Sequence, residues 1–214
     1  MQTVQTVTLE DVIALVVPPT SGGYLRLLSG DVERFFQPLG SRWSGLPGQP
    51  DGVDSFIIVN PADSFFSPCA WARPVTPSPM TSCCVLWASR TLALAGQQRS
   101  EPRSRLIDGE TERAIAAFTR SPSHGWPSTV VLDEGSRVTA LWKLERPIAE
   151  GHLRAALQAL AVAYGGDRAQ TEPAEALIAV PTSRCTTIYP AREVRVVAWE
   201  PENIYPADFS GRIS

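Results

Sequence analysis

"STVVLDEGSRVTALWKLERP", residues 128–147, decides how the chain is read. Two apolar runs, 128–133 and 137–147, flank Glu134–Gly135–Ser136, a turn-forming triplet. Short β-branched runs on either side of such a triplet predict a β-hairpin. In the second run Val138, Ala140, Trp142 and Leu144 fall on one face, with Thr139, Leu141 and Lys143 on the other, because a strand alternates its side chains.

Working outward, "EGHLRAALQALAVAYGGD" (150–167) has helical spacing, with Leu153, Leu157, Leu160 and Tyr164 on one stripe and Gly165 where a left-handed cap belongs. Residues 109–121 predict another helix, with acids in its first turn and Ile115 and Phe118 inward. Before it, "SCCVLWASRTLALAG" (82–96) predicts a strand over 83–89, followed by a polar linker at 97–105. Residues 61–81 carry five prolines and no period, which predicts an irregular excursion. "SFIIVN" (55–60) is a strand after a loop at 42–54, and 24–29 and 32–39 form a hairpin around Gly30–Asp31. Thr8 to Val17 opens the chain as a helix, capped by Thr8 and stopped by Pro18–Pro19. Strands are expected at 176–181 and 193–200. Hairpins mixed with helices predict an α+β fold: a mostly antiparallel sheet with helices packed on it. One domain over 1–214 is expected, with an N-terminal helical segment at 1–22 and a C-terminal tail at 199–214. That tail holds Trp199, Ile204, Tyr205 and Phe209 among prolines, and is expected to pack back on the domain.

Composition narrows the function. The 214 residues are 43% hydrophobic and 19% charged, with a net charge of −3, so a core is affordable and no strong stand-alone nucleic-acid footprint exists. The start lacks the basic region of a signal peptide, and its longest apolar run, Val12 to Val17, is too short to span a bilayer. A cytoplasmic protein without a membrane partner is expected. Cys69, Cys83, Cys84 and Cys185 include no CxxC, and the neighbours Cys83 and Cys84 point to opposite faces of a strand. Reduced cysteines and no metal or other cofactor are therefore expected. His124 and His152 are the only histidines and neither stands in a catalytic dyad spacing. The GxSxG, GxxxxGK[ST] and HExxH motifs are absent.

The phrases "GYLRLLSGDVERFFQPL", "FIIVNP", "VLWASRT", "PSTVVLDEGSRVTALWKLERPI", "LQALAVAYGGDRA" and "EPAEALIAVPTS", in that order, resemble the archaeo-eukaryotic primase superfamily, in its RepB-like and primase–polymerase branch of plasmids and phages. The resemblance implies a primase-like core. It also implies a strand ending Trp-Ala-Asp-x-Asp with two metal-binding carboxylates, and a hairpin bearing a nucleotide-binding histidine. Here "WASRT" puts Ser89 and Thr91 at the two acidic positions and "EGSRVTALWKL" puts Thr139 at the histidine. Glu172 keeps an acid, while Ala179 replaces an arginine and Thr182 a glycine. Two divalent ions about 4 Å apart need several carboxylates to hold them.

The expected reading is a non-catalytic primase-like subunit or accessory protein of a plasmid or phage replication system, with no catalytic residues. Its expected partner is a primase, polymerase or helicase of that system. Arg137, Lys143 and Arg184 are the candidate contacts to weakly bound single-stranded nucleic acid. The alternatives are an active nucleotidyltransferase with relocated acids (Asp108, Glu110, Asp133, Glu134, expected to be solvated turn residues) and a stand-alone nucleic-acid-binding module. Trp126, Trp142 and Trp199 offer stacking surfaces, although the alternation places Trp142 in the core.

Overall fold

The structure is a computed structural model and describes residues 7–16, 24–29, 32–36, 38–39, 42–43, 55–62, 82–92, 94–95, 105–106, 109–119, 126–171, 177–179, 181, 184–185 and 191–208. The expected excursion beyond residue 62, most of the 97–105 linker, Cys69, Asp108, His124, Glu172, Thr182 and Phe209 lie outside these residues.

Helix α1 (Leu9–Val16) begins with a reciprocal cap. The Asp11 amide donates to Thr8 Oγ1 at 3.2 Å, and the Thr8 amide donates to Asp11 Oδ2 at 2.8 Å. This satisfies donors that a helix start leaves open. Strands β1 (Tyr24–Ser29) and β2 (Val32–Phe36) form the first expected hairpin, with Ser29 opposite Val32. Two short strands, β3 (Pro38–Leu39) and β4 (Arg42–Trp43), pair with each other. They are followed by β5 (Ser55–Ala62), β6 (Ser82–Thr91), and the paired β7 (Leu94–Ala95) and β8 (Arg105–Leu106). Helix α2 (Glu110–Thr119) leads to β9 (Val130–Asp133), β10 (Arg137–Ala149) and helix α3 (Glu150–Tyr164). The chain continues through β11 (Leu177–Ala179), the paired β12 (Arg184–Cys185) and β13 (Arg192–Glu193), then β14 (Arg195–Trp199) and β15 (Ile204–Tyr205).

Two larger sheets result. One has the order β11–β5–β1–β2 and is antiparallel throughout. The other is built on β10, which at 13 residues is long enough to hold different neighbours along its length. Strand β9 and then β14 extend one side, β6 lies on the other, and β15 joins β10 in parallel at Lys143 and Leu144. The fold is therefore α+β with mostly antiparallel pairing, as the hairpin pattern implied.

Alternation on β10 places Trp142 on the helix-bearing face. Its ring meets Phe118 of α2 edge-on at 6.3 Å and Tyr164 of α3 at 4.8 Å. Leu153, Leu157, Leu160 and Tyr164 are all buried, as their stripe required. The carbonyl of Trp126 accepts from Trp142 Nε1 at 3.1 Å and from the Tyr164 hydroxyl, so the polar ends of this aromatic core are paired. The sheet's other face is buried too, at Leu132, Leu141 and Thr139. Helix α1 packs against β6, and its Val12 and Ile13 join the same core cluster.

The C-terminal segment packs back as far as it is described. Thr129 Oγ1 donates to the Asn203 carbonyl at 2.7 Å and accepts from the Lys143 amide at 2.9 Å, just before β9 begins, where β15 occupies the same side of β10. Tyr205 is buried, donates its hydroxyl to the Pro127 carbonyl and meets the Trp126 ring edge-on at 5.4 Å. Among the described residues, no helix is long and apolar enough to cross a membrane.

Burial, and then the nearby Tyr205, push the Tyr164 hydroxyl from its ordinary value of 10.0 up to about 12. The folded chain therefore keeps a proton that the unfolded chain releases above pH 10, and this contribution to stability is lost as pH rises through 12. Denaturant midpoints should fall between pH 10 and 12, and the decline should be shallower in Tyr164→Phe; equal declines contradict this assignment.

Candidate functional site

The site that the sequence singled out lies where β6 and β10 run side by side. Their register pairs Thr139 with Ser89, Arg137 with Thr91 and Leu141 with Trp87. The Ser89 carbonyl points away from β10, since it accepts from the Asp167 amide at 2.7 Å. Ser89 and Thr139 are therefore a non-hydrogen-bonded pair of the ladder, the narrow kind in which Cα atoms stand about 4.5 Å apart and side chains meet. Their hydroxyls do meet: Ser89 Oγ and Thr139 Oγ1 are hydrogen-bonded at 2.8 Å. Ser89 is 4% exposed and Thr139 1%. The positions that the resemblance assigns to a metal-binding acid and a histidine are thus adjacent, and they hold two neutral groups that satisfy each other. Thr91, at the second acidic position, is exposed one alternation further along β6.

This donor set does not suit a pair of divalent ions. Neutral hydroxyls bonded to each other offer no charge to offset the cations and no free geometry to ligate them. Among the described residues, no three His, Cys, Asp or Glu side chains group closely enough to hold a metal ion.

Of the acids proposed as relocated ligands, Asp133 and Glu134 are buried rather than solvated, contrary to expectation. Asp133 is fully buried, and its Oδ2 accepts from Arg192 Nη2 at 2.8 Å and from Arg195 Nη2 at 3.1 Å. Its Oδ1 accepts from the Gly135 amide at 3.1 Å, which shapes the hairpin turn. Pairing with Val138 puts Asp133 on the helix face, opposite Thr139. Arg192 also donates to Thr111 of α2 at 3.1 Å, so this cluster ties β9, β13, β14 and α2 together. Glu134, likewise buried, is ion-paired with Arg137, and Glu110 with Arg113. A buried carboxylate lowers its cost by gaining such partners, and it is then committed to them.

The cationic candidates are distributed rather than convergent. Arg137 and Lys143 share the face of Thr139 and flank it, but six residue steps of strand separate them by roughly 20 Å. Both are partly buried, and Arg137 is held by Glu134. Arg184 has its backbone in β12, opposite Glu193, while its side chain lies outside the described set. His152 is exposed on α3. Trp142 is core, as expected, and Trp126 and Trp199 are partly buried against it.

Sequence reasoning missed Asp167. Gly165 ends α3 with φ 66°, a left-handed conformation that favours glycine. Gly166 then passes close to β6: a Cβ on it would stand 3.1 Å from the Ser89 carbonyl oxygen. Asp167 follows, its amide donating to Ser89 and its Oδ2 accepting from the Thr91 amide at 2.6 Å. The Gly-Gly-Asp phrase was visible, but its contact partner is 76 residues away in sequence.

Among solved structures, the chain is similar to the AEP domain of the cyanophage S-2L primase–polymerase, with a TM-score of 0.55 and 12% identity over 94% of both chains. It is similar to the primase RepB′ with a TM-score of 0.51 and 11% identity, over 89% of this chain and 54% of that one. No family model matches the sequence, and no curated protein sequence does either. At these identities the likeness establishes the fold, which is primase-like.

Replacing either hydroxyl strands the other in a buried place. Ser89→Ala or Thr139→Val alone should each lower stability by about 1–3 kcal/mol, and the double variant by clearly less than the sum. Denaturant unfolding of the four proteins checks this, and strict additivity would show that the hydroxyls do not interact.

Proposed function

We propose that this chain is a primase-like protein of a phage or plasmid replication system that works without catalysing nucleotide transfer. Its sheet serves as a scaffold for a protein partner, a primase, polymerase or helicase of the same system, and it contacts single-stranded nucleic acid weakly.

The observation that carries this reading is the hydroxyl pair. Metal-dependent phosphoryl transfer relies almost wholly on positioning and electrostatic stabilisation of the transferring group. A primase-like sheet with Ser89 and Thr139 hydrogen-bonded at 2.8 Å at that point supplies neither cation ligands nor a ring nitrogen. The alternative of relocated acids loses support because Asp133 and Glu134 are each bound by arginine.

Nucleic-acid contact through Arg137, Lys143 and Arg184 fits a weak, phosphate-directed mode. A phosphate at Arg137 must compete with Glu134, and the roughly 20 Å of strand between Arg137 and Lys143 suits two phosphates several nucleotides apart along a backbone better than one compact anion.

In a nucleotidyl-transfer assay with manganese, template and labelled nucleotides, no product above background is expected; synthesis that is abolished by Glu134→Gln would overturn the reading. Binding of a labelled single-stranded oligonucleotide should be equal with and without magnesium and should fade by about 100 mM salt, with a slope that corresponds to about one to three phosphates. Arg137→Ala and Lys143→Ala should each lower that slope by about one. Tight binding that requires a divalent ion contradicts the proposal.

A further inference from the structure

Strand β6 combines two properties that are hazardous together. Its stretch Cys83–Ser89, "CCVLWAS", is apolar and β-prone, without a charge or a proline, which is the composition of segments that pair with copies of themselves. It is also the outermost strand beside β10 among the described residues, so one of its edges is not occupied by another strand of the sheet. Outward-pointing amides and carbonyls on such an edge are a template for a further strand.

At the Ser89–Thr91 end, those outward groups are occupied by a single residue. Asp167 gives its amide to the Ser89 carbonyl at 2.7 Å and takes the Thr91 amide on its Oδ2 at 2.6 Å. It thus makes both bonds that a neighbouring strand would make there, using backbone for one and side chain for the other. Being a carboxylate, it forms a charge-assisted bond that a neutral competing carbonyl does not match. The Gly165–Gly166 approach delivers it: the left-handed φ of 66° turns the chain out of α3, and the missing Cβ at Gly166 lets it reach the Ser89 carbonyl.

We propose that Asp167 is an edge latch, which stops β6 from pairing with the β6 of a second copy of this chain. The latch is independent of whether the protein catalyses anything. Removing its carboxylate frees the Thr91 amide at the end of an apolar strand, while the backbone bond to the Ser89 carbonyl does not depend on the side chain.

The test is Asp167→Ala on the full chain, with two readouts. Hydrogen exchange at the Thr91 amide should quicken at least about tenfold relative to wild type, and sedimentation velocity across a concentration series should show association beyond that of wild type. Unchanged Thr91 exchange overturns the latch, and quickened exchange with wild-type sedimentation overturns its role against self-pairing. If Asp167→Ala does not fold, Asp167→Asn, which keeps an oxygen acceptor but no charge, is read in the same way. It should shift both readouts in the same direction by less, and wild-type values in both overturn the proposal.

Discussion

The narrow pairing of Ser89 with Thr139 is the contact from which the rest of the site takes its form. It arises because β6 and β10 meet there in the non-hydrogen-bonded phase of an antiparallel ladder, which brings facing side chains close enough to touch. The same phase turns the Ser89 carbonyl and Thr91 amide outward, where Asp167 receives them. On its far side β10 carries β9 and then β15, and above it Trp142 fills the space between α2 and α3. One strand therefore sets the sheet order, the aromatic core and the buried hydroxyl pair.

Charge is distributed accordingly. Buried acids of the β9–β10 hairpin occur where arginines meet them: Asp133 beneath Arg192 and Arg195, and Glu134 beside Arg137. Each carboxylate gains hydrogen bonds that offset its desolvation, and an anion that approaches one of these arginines must compete with the carboxylate already bound there. These ion pairs hold the hairpin tip, α2 and the last strands in place. Electrostatics here serves the architecture. At the β6–β10 pairing, by contrast, Ser89 and Thr139 are neutral hydroxyls bonded to each other, and the nearby Asp167 carboxylate is bound to the Thr91 amide.

Much of this was legible in the sequence because it was written in local periods. Alternation over 138–144 placed Trp142 inward, the stripe on α3 placed Leu153 to Tyr164, and Thr8 ahead of the first apolar run gave the first cap. The pairing of 83–89 with 137–144 was implied by the order of phrases, and the register made it specific. Solvated acids were expected at Asp133 and Glu134 because turn residues usually face water, but Asp133 is met by Arg192 and Arg195 from late in the chain and Glu134 by Arg137 across its own turn. Asp167 was missed for the same reason. A side chain that completes another strand's edge leaves no period in its own neighbourhood. Nor does spacing show that β15 takes the place of β9 beside β10, since its signal is only Ile204 and Tyr205.

The central claim is that hydroxyl groups in mutual contact leave this primase-like sheet unable to hold catalytic cations. The most direct measurement is a titration of the protein with manganese, followed by paramagnetic broadening of assigned resonances. The account requires weak, scattered broadening at surface acids, without a saturable site centred on residues 89, 91 and 139. Saturable broadening focused on those three residues would contradict it.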